Sequence, residues 1–197
     1  MDKQPTVKKS ISPSNNFCPQ TLFLYGTYKE DGTPDFGLFC WISYVWNTDL
    51  GIMACIGGEK LTKDRIRVTG MFSANLVTEA LLPWADHCGN VSGHEADKMR
   101  NCPATLQGSV LNVPVLADSP WVFELEVVQS IPLDGSDVFL CRIRNVLADE
   151  ALADEKMDLD TRMRLAAPVV TTHETYFSLS GKTLGAWGEV RKNLQGK

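Results

Sequence analysis

Trp121–Val128 reads WVFELEVV, Asp134-Gly135 follows, and Val138–Leu147 reads VFLCRIRNVL. In the first run Phe123, Leu125 and Val127 alternate with Glu124 and Glu126, the period-two pattern of a half-exposed strand. In the second, Phe139, Cys141 and Ile143 face one side and Arg142 and Arg144 the other. An Asp-Gly pair suits the turn between antiparallel strands, because it tolerates the positive φ angles a tight hairpin needs. These pieces predict a β-hairpin.

Strand signals continue on both sides of it. TLFLYGTY at Thr21–Tyr28 is apolar and aromatic, and KEDGTPD after it is a turn with Asp31-Gly32 at its centre. FGLFCWISYVWN, Phe36–Asn47, carries almost no charge, so both its faces need cover, from core on one side and a ligand or second subunit on the other. Asn47-Thr48-Asp49 turns the chain into LGIMACI, a buried strand ending at Ile56, and Met71–Leu76 reads as another. Pro168-Val169-Val170 and ETYFSL close the set.

Helices are few and short. One is expected after Gly57-Gly58, with Thr62 as N-cap, Leu61 and Ile66 as a hydrophobic staple, and Gly70 at C′. Val77–Cys88 reads as helical from Thr78, or from Pro83 at the first helical position. ALADEKMDLDTRMRL is a charged loop with a short helical piece. No strand–helix–strand rhythm appears, so the expected fold is mainly β, an antiparallel closed or partly closed barrel.

The 197 residues are 44% apolar and 22% charged, which suits one domain over residues 16–197. Residues 1–15 are polar and carry Pro5 and Pro13, the composition of an extended arm. A net charge of −5 argues against nucleic acid as the main partner. No run approaches the roughly 20 apolar residues that span a bilayer, and no signal-peptide pattern is present, which points to the cytoplasm. The six cysteines contain no CxxC pair and read as free, at least half-buried thiols. A zinc site from His87, Cys88, His94 and Cys102 is an alternative whose spacing matches no usual ligand pattern.

Three stretches offer chemistry. In GGEKLT, Gly57–Thr62, two glycines, Lys60 and a helix start would suit a phosphate; on local pattern alone an ordinary loop before a capped helix fits better, since the motif is no Walker or dinucleotide fingerprint. HCGNVSGHEADK, His87–Lys98, is either a ligand loop or a surface turn. The aromatics of Phe39-Cys40-Trp41-Ile42-Ser43 either flank a planar ring or pack in the core. No Ser-His-Asp order emerges from three scattered histidines.

Taken in order, these stretches resemble the FMN-binding split-barrel proteins of the flavin reductase-like family, flavoredoxin branch. TLFLYGTYKEDGTPDFG resembles the family's opening hairpin, and DRIRVTGMFSANL is similar to its "N-I-x-x-T-G-x-F-x-x-N" stretch. HCGNVSGHEADK is similar to "Y-C-G-x-x-S-G-x-x-x-D-K", and HETYFSLSGKTLGAW to the closing "Y-x-x-L-G-x-x-L-G". The chain departs from the family at Asn47-Thr48-Asp49, where Pro is frequent, and at Leu179-Ser180-Gly181, where Leu-Gly is common.

The resemblance implies a split β-barrel, bound FMN and a homodimer with the flavin near its interface. It implies that Phe39, Cys40, Trp41, Ile42 and Ser43 contact the ring, partly through backbone, and that Lys60 and Thr62 meet the phosphate. Asn75, Cys88, Gly89, Ser92 and Gly93 would line the remainder, Lys98 would add charge near the phosphate, and Tyr176 would join them. The implied activity is an oxidoreductase passing electrons from NAD(P)H, or from a redox protein, through FMN to a flavin, iron or protein acceptor, with no protein acid or nucleophile. A non-enzymatic FMN electron carrier and a pyridoxamine-oxidase-like barrel with another ligand are the rivals.

Overall fold

The computed structural model describes residues 8–16, 18–45, 51–95, 98–172, 175–179, 181–186 and 190. In chain order the strands are β1 (Gln20–Thr21), β2 (Phe23–Tyr28), β3 (Pro34–Phe39), β4 (Ile42–Val45) and β5 (Gly51–Gly57). Helix α1 (Leu61–Thr69), β6 (Met71–Leu76) and α2 (Leu82–Asn90) follow. Next come β7 (Thr105–Gln107), β8 (Pro114–Leu116), β9 (Trp121–Leu133) and β10 (Ser136–Ala148). Helix α3 (Leu159–Ala166), β11 (Val169–Thr172) and β12 (Thr175–Ser178) complete the order.

Seven strands form one antiparallel sheet in the order β3-β2-β6-β9-β10-β5-β4. Its two edge strands, β3 and β4, are neighbours in sequence, separated only by Cys40 and Trp41. The sheet therefore curls until its edges meet through that two-residue link, which gives the split barrel. At the link Ile42 N–H donates to the Cys40 carbonyl and Cys55 N–H to the Trp41 carbonyl. The Phe36–Asn47 run is thus two strands meeting at a bend rather than one; its Asn47-Thr48-Asp49 turn lies outside the described residues.

The predicted hairpin is β9–β10, with Leu133 opposite Ser136 and Gly135 at φ +75° between them. Alternation along β2 divides the core. Phe23 and Tyr25 point into the barrel with Phe39, Phe72, Leu125 and Phe139. Leu22 and Leu24 point outward against Leu81, Ala85 and Cys88 around α2.

Several expectations need correction. Lys60, not Thr62, is the N-cap of α1, so the Leu61–Ile66 staple register does not apply, while Gly70 does end the helix in the left-handed region at φ +68°. Helix α2 begins at Leu82 with Pro83 in its first turn, because the chain first makes a turn and an isolated bridge at Thr78. Cys18 is exposed, although all six cysteines are free. Glu124 is fully buried instead of half-exposed. Its carboxylate accepts the backbone N–H groups of Ser109, Val110 and Leu111 and the Asn145 amide. Burial favours its neutral form, but those four donors outweigh it and hold the group below the usual carboxylate range. Among the described residues no helix is long and apolar enough to cross a membrane.

Candidate functional site

Two clefts flank the Cys40–Trp41 link. The first, of about 550 Å³, runs from Phe39, Cys40 and Trp41 past Gly57, Gly58 and Lys60 to the hairpin turn Asp134–Ser136. The second, of about 300 Å³, shares Leu38 to Trp41 and extends to Cys18, Gln20, Thr171, Thr172 and Tyr176. The first volume lies within the range of small-molecule sites, roughly 300–1,000 Å³, and the second at its lower limit.

The first cleft carries three features suited to an anion next to a planar group. Lys60 supplies a cation at its wall. Helix α1 starts directly after Lys60 with no side-chain hydrogen bond capping it, which leaves the positive end of its dipole near this wall. Gly58, at φ +72°, has open space where a side chain would begin, so the backbone can be approached closely. Its N–H donates to the Gly135 carbonyl at 2.8 Å, which fixes the glycine turn against the β9–β10 hairpin. Trp41 is 52% exposed and its indole lies against Gly57. Asp134 also lines this cleft, so an anion is favoured on the Lys60 side.

The other residues singled out in the sequence divide sharply. Phe39 faces the barrel core, edge-on to Tyr25 at 5.2 Å, and also borders both clefts. Ile42 packs on the core, and Ser43 is exposed, pairing with Met53 and lining neither cleft. Tyr176 lines the second cleft, but its hydroxyl donates to Asp86 at 2.6 Å, and burial together with that carboxylate pushes the phenol up to about 12.

Two buried polar clusters, outside the lining of the cleft, take up most of the remainder. The Thr62 hydroxyl, buried, donates to Asp35 Oδ2 at 3.2 Å, and Lys98 Nζ, on a side chain 3% exposed, meets Asp35 Oδ1 at 3.0 Å. Asn75 donates to the Leu24 carbonyl and the Ser73 hydroxyl and accepts the Leu116 N–H, which uses both ends of its amide inside the core. A Cβ on Gly93 would stand 2.7 Å from Leu61 Cβ and 2.8 Å from Asp35 Oδ2, and one on Gly89 would stand 2.9 Å from Leu38 Cδ2. Gly89 therefore lets the end of α2 close onto β3, and Gly93 lets the segment after α2 close onto α1 and β3. Ser92 is exposed, its N–H donating to Glu95, and His87 Nε2 donates to the Lys98 carbonyl at 2.9 Å.

Sequence reasoning missed Asp35, which holds two of the predicted residues, and Lys63, buried 3.5 Å from Asp137. Asp35 sat in the sequence as part of a turn, and the local pattern carried no sign of a distant partner. Burial raises the Cys40 thiol and pushes Cys88 up to about 12 despite the nearby Lys98, so both stay protonated and unreactive at neutral pH. Among the described residues no group of three or more His, Cys, Asp or Glu side chains is arranged to hold a metal.

The family described as the flavin reductase like domain matches residues 15–180. The chain belongs to that family. Among solved structures, the flavoredoxin of Methanosarcina acetivorans superposes with a TM-score of 0.83 at 20% identity, covering 96% of this chain and all of that one. The flavoredoxin of Desulfovibrio vulgaris (Miyazaki F) gives 0.82 at 22% identity, covering 93% of this chain and 99% of its own. The FMN-binding protein of Thermus thermophilus gives 0.73 at 17% identity over 94% of this chain and all of that one. At these identities the likeness establishes the shared split-barrel fold. No curated protein sequence matches the chain.

Proposed function

We propose that this flavin reductase-like protein binds FMN in the first cleft, with the phosphate at Lys60 and the start of α1 and the ring beside Trp41. The observation that carries this reading is the coincidence of a cation, an uncapped helix start and an open glycine turn in one cleft that also presents an indole. Bound FMN supplies hydride and single-electron transfer, chemistry the side chains lack. The chain's own residues bind and orient. Lys60 neutralises phosphate charge, Trp41 offers an aromatic face, and the Phe39–Trp41 backbone, which lines the cleft, would meet the ring. Tyr176 and Cys40 border the neighbouring cleft, where a second reactant would approach. Thr62, Asn75, Cys88, Gly89, Gly93 and Lys98 act from behind, and Ser92 stands at the loop surface. The activity is transfer of electrons from NAD(P)H through FMN to a flavin, iron or protein acceptor, in the cytoplasm.

Trp41, Tyr44 and Met53 are exposed apolar groups around the same bend, which supports a homodimer with the flavin near its interface. A sedimentation experiment returning a monomer removes that part of the reading. The flavin reading is tested by titration: Lys60→Ala raises the FMN dissociation constant roughly tenfold and leaves riboflavin almost unchanged. Equal binding of FMN by the variant and the parent would overturn the phosphate assignment. Rapid mixing of the flavin-loaded protein with NADH and NADPH separates an enzyme, which bleaches its flavin quickly, from an electron carrier, which does not.

A further inference from the structure

Asp35 occupies the junction between the two segments that approach the proposed phosphate end. Its carboxylate is fully buried. One oxygen accepts a hydrogen bond from the hydroxyl of Thr62, the second helical residue of α1, at 3.2 Å. The other meets Lys98 Nζ at 3.0 Å. Gly93 passes so close that a methyl group there would lie 2.8 Å from the carboxylate. Lys60, the N-cap, stands two residues before Thr62, so the turn that faces the cleft is held from behind by this carboxylate.

We propose that Asp35 is the positioning residue of the phosphate end: by gripping Thr62 and Lys98 together it fixes the first turn of α1 and thereby sets the preference for FMN over riboflavin. This rests on the reading that FMN phosphate lies at Lys60. Asp35 lines neither cleft, and its own charge works against a neighbouring anion. Lys98 neutralises that charge across 3.0 Å, which leaves its geometric role. The two roles have opposite signs. Removing a negative charge near the site strengthens binding of an anion; loosening the helix start weakens it.

The test uses the full chain, titrated with FMN and separately with riboflavin while flavin fluorescence is followed. Asp35→Asn is expected to raise the FMN dissociation constant about tenfold, with riboflavin within about twofold. Thr62→Val keeps the ion pair and removes only the hydroxyl link. It is expected to weaken FMN about threefold, again sparing riboflavin, and it carries the test if Asp35→Asn does not fold. A purely structural role would weaken both flavins alike, and that result overturns the proposal. So does unchanged or tighter FMN binding in the folded variants. Lys60→Ala serves as the reference. If it leaves the FMN-to-riboflavin ratio unchanged, the phosphate reading falls and takes this proposal with it. If it raises the ratio of the FMN to the riboflavin dissociation constant while Asp35→Asn and Thr62→Val do not, the positioning role alone fails.

Discussion

Lys60 and Lys98 both belong to segments that suggest anion binding, yet the fold treats them oppositely. Lys60 stands on the wall of an open cleft beside Gly57 and Gly58. Lys98 is buried on the Asp35 carboxylate. The same division separates Trp41, half exposed, from Asn75, whose amide is spent on backbone and Ser73 partners. A rim that is open and weakly tied can accept a ligand at little cost. Groups already engaged in buried ion pairs and hydrogen bonds can only hold the rim in place, because each contact a ligand took would have to be broken first.

The largest expected effect that would break this contrast is on stability. Lys98→Met leaves the Asp35 carboxylate buried without its partner, a change that costs about 3–5 kcal/mol in unfolding free energy. Urea unfolding measures it. A loss below about 1 kcal/mol would place Lys98 in solvent and return it to the list of phosphate ligands.

Glycines sharpen the comparison at a smaller scale. Gly93→Ala forces a methyl group against the Cβ of Leu61, which is fixed by the helix backbone, and against the buried Asp35 carboxylate, and is expected to cost about 1–3 kcal/mol. Gly58→Ala meets nothing within 4 Å, so it pays only for its backbone angle of +72°, about 1 kcal/mol. Thermal melts of the two variants rank them; a larger loss at Gly58 would mean that the turn, not the network, is the tightly packed element.

What the sequence made legible follows the range of the interactions. The β9–β10 hairpin and the end of α1 at Gly70 rest on neighbours a few positions apart, and the structure has both. Glu124 was hidden because alternation assigns it to solvent, whereas its four donors come from the 109–111 loop and from Asn145 on the next strand. Asp35 and Lys98 were hidden for the same reason: nothing near either residue names the other. The motif residues could be found, but pattern alone does not say whether Thr62 or Asn75 faces a ligand or the protein's own backbone. That depends on which side of the chain the barrel closes over.

The smallest expected stability effect is at Lys60 itself. Without ligand, Lys60→Ala should unfold within about 0.5 kcal/mol of the parent, since no ion pair or cap depends on its side chain among the described residues. With ligand the two should part. A ligand that binds only the folded state stabilises it by RT ln(1 + [L]/Kd), about 2.7 kcal/mol at one hundred times Kd. If Lys60→Ala weakens FMN tenfold, the same concentration is only about ten times its Kd, and roughly 1.3 kcal/mol of that stabilisation disappears. Riboflavin, lacking the phosphate, should stabilise parent and variant alike. The rim therefore reveals itself as the region whose mutation is silent until the nucleotide is added, while Lys98→Met is costly with or without it. Equal FMN-induced stabilisation of Lys60→Ala and the parent would erase the distinction between the two lysines.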